Sequence, residues 1–118
     1  MKKKIDIREY GSQIIQAIPK GVLLNTMGQK FNSMVIGWGG IGTNWALPVF
    51  TVYVREGRFT REQLDQNPAF TISIPLYGVV PKIARVCGTM SGRKVDKVSE
   101  AGLTLETPEV NGVPGIRE

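Results

Sequence analysis

The chain has 118 residues, a formal net charge of +5, 21% charged and 42% hydrophobic residues, one cysteine and no histidine. This is the composition of one ordinary globular domain with a modest core. Without histidine, a His-based triad and the commonest metal ligand are excluded, and Cys87 alone can form neither a CxxC site nor an intramolecular disulfide.

Lys2, Lys3 and Lys4 open the chain and read as a solvated tail. No apolar run of signal-peptide length follows them, and no run approaches a membrane span. Together with the single thiol, this predicts a cytoplasmic protein without a membrane partner. The other cations are scattered and not interleaved with stacking aromatics, which weighs against a nucleic-acid groove.

Residues 12–18 predict a short helix stopped by Pro19. Apolar, β-rich runs follow at residues 22–26, 33–38 and 48–55, the first two separated by a turn at 27–31. A tight turn around Gly57 precedes TREQ (residues 60–63), which has the capping-box form: Thr60 as cap, Gln63 reaching back to its N–H. Pro68 closes that helix, and FTISI (70–74) is the next strand. Residues 80–86 predict a helical turn. Residues 91–101 predict a second helix, with Val95 and Val98 on one face and Gly102 as its stop. Residues 103–105 predict a short strand before a Pro-containing tail. Mostly sheet with two or three short helices, this order argues for a β-barrel with helical insertions and against a doubly wound sheet.

Several motifs could carry chemistry. GWGGIG (37–42) matches G-x-G-x-x-G, but TNWALP follows where a dinucleotide fold needs a helix, so the stretch reads as a glycine-rich strand end and loop. Ser91 to Lys94 spells S-x-x-K without the companion motifs of penicillin-recognising enzymes. Arg55, Arg58 and Thr60 stand at a helix start, where free amides and guanidinium groups can receive an anion; a solvated turn is the plainer alternative, and these residues alone leave both open. Arg93 and Lys97, four apart, predict a shared helix face near Ser91. Trp38 and Trp45 flank the glycine-rich loop and could stack on a planar ligand or belong to the core. Cys87 reads as a buried small residue.

NSMVIGWGGIGTNWALPVFTVYVREGRFT (32–60) resembles the flavin reductase-like family, in which a strand of N-x-M-T-x-G-W type leads through a loop and a Pro to another strand, an Arg- or Ser-rich turn and a helix. FTISIP and CGTMSGRKVDKVSEAGLT resemble the family's next strand and helix. The resemblance runs from about Pro19 to the end. It implies a single FMN-binding domain over residues 1–118, a mainly β split barrel, a homodimer with flavin near the subunit interface, and redox chemistry. As an enzyme the protein would pass a hydride from NAD(P)H to flavin; an FMN-containing electron carrier and a shortened, non-binding remnant are the alternatives. By resemblance, Asn32, Ser33, Met34, Val35 and Trp38 lie along the isoalloxazine and ribityl chain, Arg55, Arg58 and Thr60 at the phosphate, and Ser91, Arg93 and Lys97 near the cofactor. Val35 stands where many relatives have Thr. Family members continue beyond the position of Glu118, so the barrel is expected to be incomplete.

Overall fold

Residues 2–118 are described by a computed structural model. The run VLLNTM holds no ladder-breaking residue and becomes β1 (Val22–Met27). It is the centre of a three-stranded antiparallel sheet ordered β2-β1-β5, with β2 at Phe31–Ile36 and β5 at Phe70–Ser73. Val22 pairs with Ile36 and Met27 with Phe31 on one side; Leu23 pairs with Ser73 on the other. Side chains alternate along a strand. Leu23 therefore joins Ile83, Val86 and Cys87 of helix α3 (Pro81–Thr89) and Ala101 of helix α4 (Lys97–Ala101), while Val22 and Leu24 join Ile14 and Ala17 of helix α1 (Gly11–Ala17). Two small cores thus share one sheet.

A second sheet pairs β3 (Gly39–Asn44) with β4 (Leu47–Val52) in a hairpin turning at Trp45 and Ala46. Trp45 holds φ at +58°, an uncommon backbone for a bulky residue. Helix α2 (Phe59–Gln66) follows β4 and ends at Asn67, just before Pro68.

The polar centre of the first sheet ties all its strands. Asn25 accepts from the Ser33 hydroxyl at 2.9 Å and donates to Thr71 and Ser73 at 3.2 and 2.9 Å. Thr71 donates in turn to the Pro114 carbonyl at 3.1 Å, and the Ser73 hydroxyl accepts from the Ile116 N–H at 3.1 Å, so the C-terminal segment lies along β5 through side chains.

The structure departs from the sequence reading in identifiable ways. The mainly β expectation gives way to a mixed fold: five strands in two separate antiparallel sheets, with α-helices covering about as much of the chain, and no closed barrel among the described residues. The glycine-rich stretch is a link at Gly37 and Trp38 and a strand from Gly39 on; a Cβ at Gly39 would stand 2.7 Å from the Thr51 carbonyl oxygen, so glycine lets the chains approach. β2 starts at Phe31 and stops at Ile36, which leaves Trp38 outside it, and residues 53–55 leave β4. TREQ forms no capping box. Arg58 is the N-cap, without a side-chain bond, and Thr60 lies inside α2. Gln63 is fully buried: it accepts from the Gln29 N–H at 3.1 Å and donates to the Lys30 carbonyl, pinning the β1–β2 turn. These distant backbone partners win over the local cap. The predicted helix over 91–101 is broken: residues 92–94 form a turn closed on the Ser91 carbonyl, and only α4 is helical, capped by Asp96 through the Val98 N–H. Gly102 does stop it, with φ at +68°. Instead of a strand at 103–105, Leu105 makes one bridge to Ile116.

Asn25→Leu tests the polar centre. It strips partners from Ser33, Thr71 and Ser73, and a buried polar group without its partner costs about 1–3 kcal/mol. Urea unfolding followed by circular dichroism should show a loss of roughly 2–4 kcal/mol with an unchanged m-value.

Candidate functional site

Two clefts meet beside β2. The larger, about 580 Å³, is lined by Met34, Val35 and Trp38, by the extended chain from Val52 to Glu56, and by Arg58. Trp38 and Tyr53 stack there, with ring centroids 4.3 Å apart and planes 15° from parallel. The narrower cleft, about 180 Å³, is polar and lies between the start of α2 and the segment from Cys87 to Arg93; Asn32, Thr60 and Lys97 reach it. Met34, Val35 and Arg58 line both clefts, so the two are neighbours.

Lys97 dominates the narrow cleft. It is 4% exposed, and its ammonium donates to the Ser33 carbonyl at 2.8 Å and the Cys87 carbonyl at 3.4 Å. Among the described residues no carboxylate pairs with it. Burial holds its pKa below the usual 10.5; Cys87 opposes that shift, while Arg58 and Lys30 add to it. Burial pushes the Cys87 thiol up, against the opposing pull of Lys97 and Ser33, which makes it a weak nucleophile.

Asn32 is fully buried and donates to the Thr60 hydroxyl at 3.0 Å; its Oδ1 is the buried side-chain atom left without a partner among the described residues. Gly92 is closely fitted beside it: a Cβ there would stand 2.3 Å from Asn32 Oδ1 and 2.5 Å from the Phe59 ring. The narrow cleft is therefore lined by a cation without an acid among the described residues and by the Gly92 backbone, which closes over the unpartnered Asn32 acceptor. No side chain caps α2 at this end. The arrangement suits a planar polar ligand that carries both a donor and acceptors. For flavin the fit is direct, because its ring edge has an N–H flanked by carbonyls and its tail ends in a phosphate.

Of the residues singled out from the sequence, Asn32, Met34, Val35, Trp38, Arg55, Arg58, Thr60, Ser91, Arg93 and Lys97 all line one or both clefts. Ser33 does not. Its hydroxyl is spent on Asn25 and its carbonyl on Lys97, so it positions the ammonium from behind. Arg93 and Lys97 do not share a helix face, because the chain turns between them. Arg93 is exposed and pairs with Glu62 at 2.5 Å, and this guanidinium holds the Glu62 carboxyl below the usual range. Arg58 is exposed and makes no ion pair among the described residues. Sequence reasoning missed Tyr53, Phe59 and Gly92. Tyr53 sits two residues before Arg55, a spacing that a strand face would have flagged; nothing local marks Gly92.

No protein-family model matches the chain, and no curated protein matches it. Among solved structures, flavoredoxin of Desulfovibrio vulgaris (Miyazaki F) superposes with a TM-score of 0.69 at 28% identity, over 83% of this chain and 54% of that one. An FMN-binding domain of a flavin reductases-like enzyme from Shewanella baltica OS155 superposes with a TM-score of 0.67 at 21% identity, over 91% of this chain and 57% of that one. The chain therefore spans little more than half the length of either neighbour.

The depressed Lys97 pKa gives a signed expectation. Between its folded value and 10.5 the unfolded chain binds more protons than the folded one, so this group makes ligand-free stability rise as pH increases through that window. Cys87 contributes in the opposite direction. Denaturation of the wild type and Lys97→Met across alkaline pH should show the rise in the difference between the two proteins, and a flat difference would rule it out.

Proposed function

From the flavin reductase-like, FMN-binding fold that this chain carries, we propose that residues 1–118 form one such domain, half of a split barrel in architecture, that binds FMN and works in electron transfer. The observation that carries the proposal is the buried Lys97 ammonium, unpaired with a carboxylate among the described residues, in a narrow cleft whose wall also holds the unpartnered Asn32 Oδ1. An acceptor next to a cation complements an N–H next to a carbonyl, the pattern at the pyrimidine edge of the isoalloxazine. A phosphate has no donor for Asn32 when fully ionised.

In this reading Asn32 and Lys97 hold the polar ring edge, with Ser33 fixing Lys97; Thr60, expected at the phosphate, instead accepts from the Asn32 amide and braces it. Met34, Val35 and Trp38 lie along the ring and ribityl chain. Arg55 and Arg58 receive the phosphate, helped by the uncapped start of α2. Ser91 borders the ring cleft, and Arg93 stands at its mouth. When bound, FMN supplies the redox chemistry, accepting electrons from NAD(P)H. The chain binds and orients it, excludes water from the narrow cleft and places a positive charge beside it. No side-chain acid or base is required, in keeping with the lack of histidine.

The half-exposed Trp38–Tyr53 stack favours a second reading, an electron carrier without a pyridine nucleotide site, because aromatic rings at the surface suit exchange with a docked partner. Bleaching of the bound flavin by NADH or NADPH alone distinguishes the two. A homodimer belongs to the same proposal: Trp38, Trp45, Leu47 and Tyr53 are large apolar residues left exposed around the β3–β4 hairpin, a surface that a second copy would cover. A reducing cytoplasm is the compartment proposed, where Cys87 stays a thiol. Among the described residues no helix is long and apolar enough to cross a membrane.

The test is an FMN titration followed by flavin fluorescence, repeated with riboflavin. Wild type should bind both with saturation. Arg58→Ala should weaken FMN about ten- to a hundredfold, the span of a charge-assisted contact of about 1.5–3 kcal/mol, and leave riboflavin unchanged. Absence of saturable binding by the wild type overturns the proposal; equal loss of both ligands in Arg58→Ala removes Arg58 from the phosphate site.

A further inference from the structure

The narrow cleft has two walls that come from distant parts of the chain. One is the Gly57 turn and the first turn of α2. The other runs from Cys87 to Arg93; its last part, Ser91 to Arg93, opens the 91–96 segment, which carries Gly92 and leads into Lys97. That segment is not regular structure. Its turn is closed on itself through Lys94 and Val95 N–H groups to the Ser91 carbonyl, at 3.0 and 3.2 Å, and through the Arg93 N–H to the Ser91 hydroxyl at 3.2 Å. It needs outside ties to keep its place.

Arg93 supplies most of them. Its Nε donates to both Glu62 carboxylate oxygens at 3.1 and 3.3 Å, Nη2 to one of them at 2.5 Å, and Nη1 to the Gly57 carbonyl at 3.3 Å. The guanidinium also lies 5.9 Å from the centre of the Phe59 ring, whose other cationic neighbour is Lys30 at 5.7 Å. Lys30 donates to the Val95 carbonyl at 3.1 Å, a second tie on the same segment. Three donor nitrogens of Arg93 are thus committed to the opposite wall.

We propose that Glu62 and Arg93 are positioning residues: they latch the 91–96 segment onto the first turn of α2 and so set the width of the narrow cleft between the Gly57 turn and Gly92. Arg93 does not itself take the cofactor phosphate. The ligand arm of this inference rests on the FMN reading above. An exposed ion pair contributes little to global stability, so the latch acts on the local opening of the cleft and leaves the fold intact.

The sign of one substitution separates the latch from a direct ligand. If the latch holds, Glu62→Ala and Arg93→Ala each speed the dissociation of FMN and of riboflavin alike, roughly two- to fivefold, the span of an exposed pair. The reversed pair, Glu62→Arg with Arg93→Glu, restores the slow rate. If Arg93 instead binds the phosphate, Glu62→Ala frees it and tightens FMN, while Arg93→Ala weakens FMN and spares riboflavin; that pattern overturns the latch. Amide hydrogen exchange of residues 91–95 in the ligand-free chain gives an independent readout: it should quicken in both single variants with little change in melting temperature, and unchanged exchange overturns the latch. If the wild type fails to bind FMN, the flavin reading falls and the exchange measurement alone decides the latch.

Discussion

A lysine ammonium buried without a carboxylate is the constraint on which the rest of this structure depends. Desolvating a charge is costly, and two backbone carbonyls offset only part of it. Those carbonyls come from β2 and from α3, and the ammonium comes from α4, so one group fixes three elements that share no local sequence. Arg58 and Lys30 raise the local positive potential further. The cleft is therefore built around an excess of positive charge, which loss of the Lys97 proton or an electron-rich ligand would relieve. A ligand that does so binds the folded state alone and stabilises it by mass action.

The support for that charge runs deep. Ser33 presents its carbonyl to Lys97 and its hydroxyl to Asn25, and Asn25 reaches β5 through Thr71 and Ser73. The polar centre of the sheet and Lys97 are thus one connected network; Asn32, bonded separately to Thr60, carries the one buried side-chain atom without a partner among the described residues.

Much of the fold was legible. β1, β5, the Pro68 stop and the Gly102 stop follow from β-branched runs, fixed proline geometry and glycine's left-handed freedom, all local properties; Pro19 does not end its helix but sits within a 3-10 turn (Ile18–Lys20) that carries on from α1 to Gly21. The failures share a cause. TREQ reads as a cap because its neighbours in sequence allow one, yet Gln63 is drawn into the β1–β2 turn and Thr60 is met by Asn32, partners about thirty residues away. SGRKVDK reads as a charged helix; Asp96 caps a later start, and Lys97 turns inward, which no charge pattern announces. The site residues surfaced because the motif resemblance groups them, and their partners Glu62, Gly92 and Tyr53 did not because those contacts exist only once the walls meet.

Both tryptophans lie outside the two cores: Trp45 at the hairpin tip is 95% exposed and Trp38 is 67% exposed. In a single copy both indoles already face water, so their emission would change little on unfolding; a second copy seated on the hairpin would cover them and move it. Trp38 alone has an aromatic neighbour, and that neighbour lines the larger cleft. The intrinsic optical signal of this protein therefore watches the mouth of its cleft and is nearly blind to its interior.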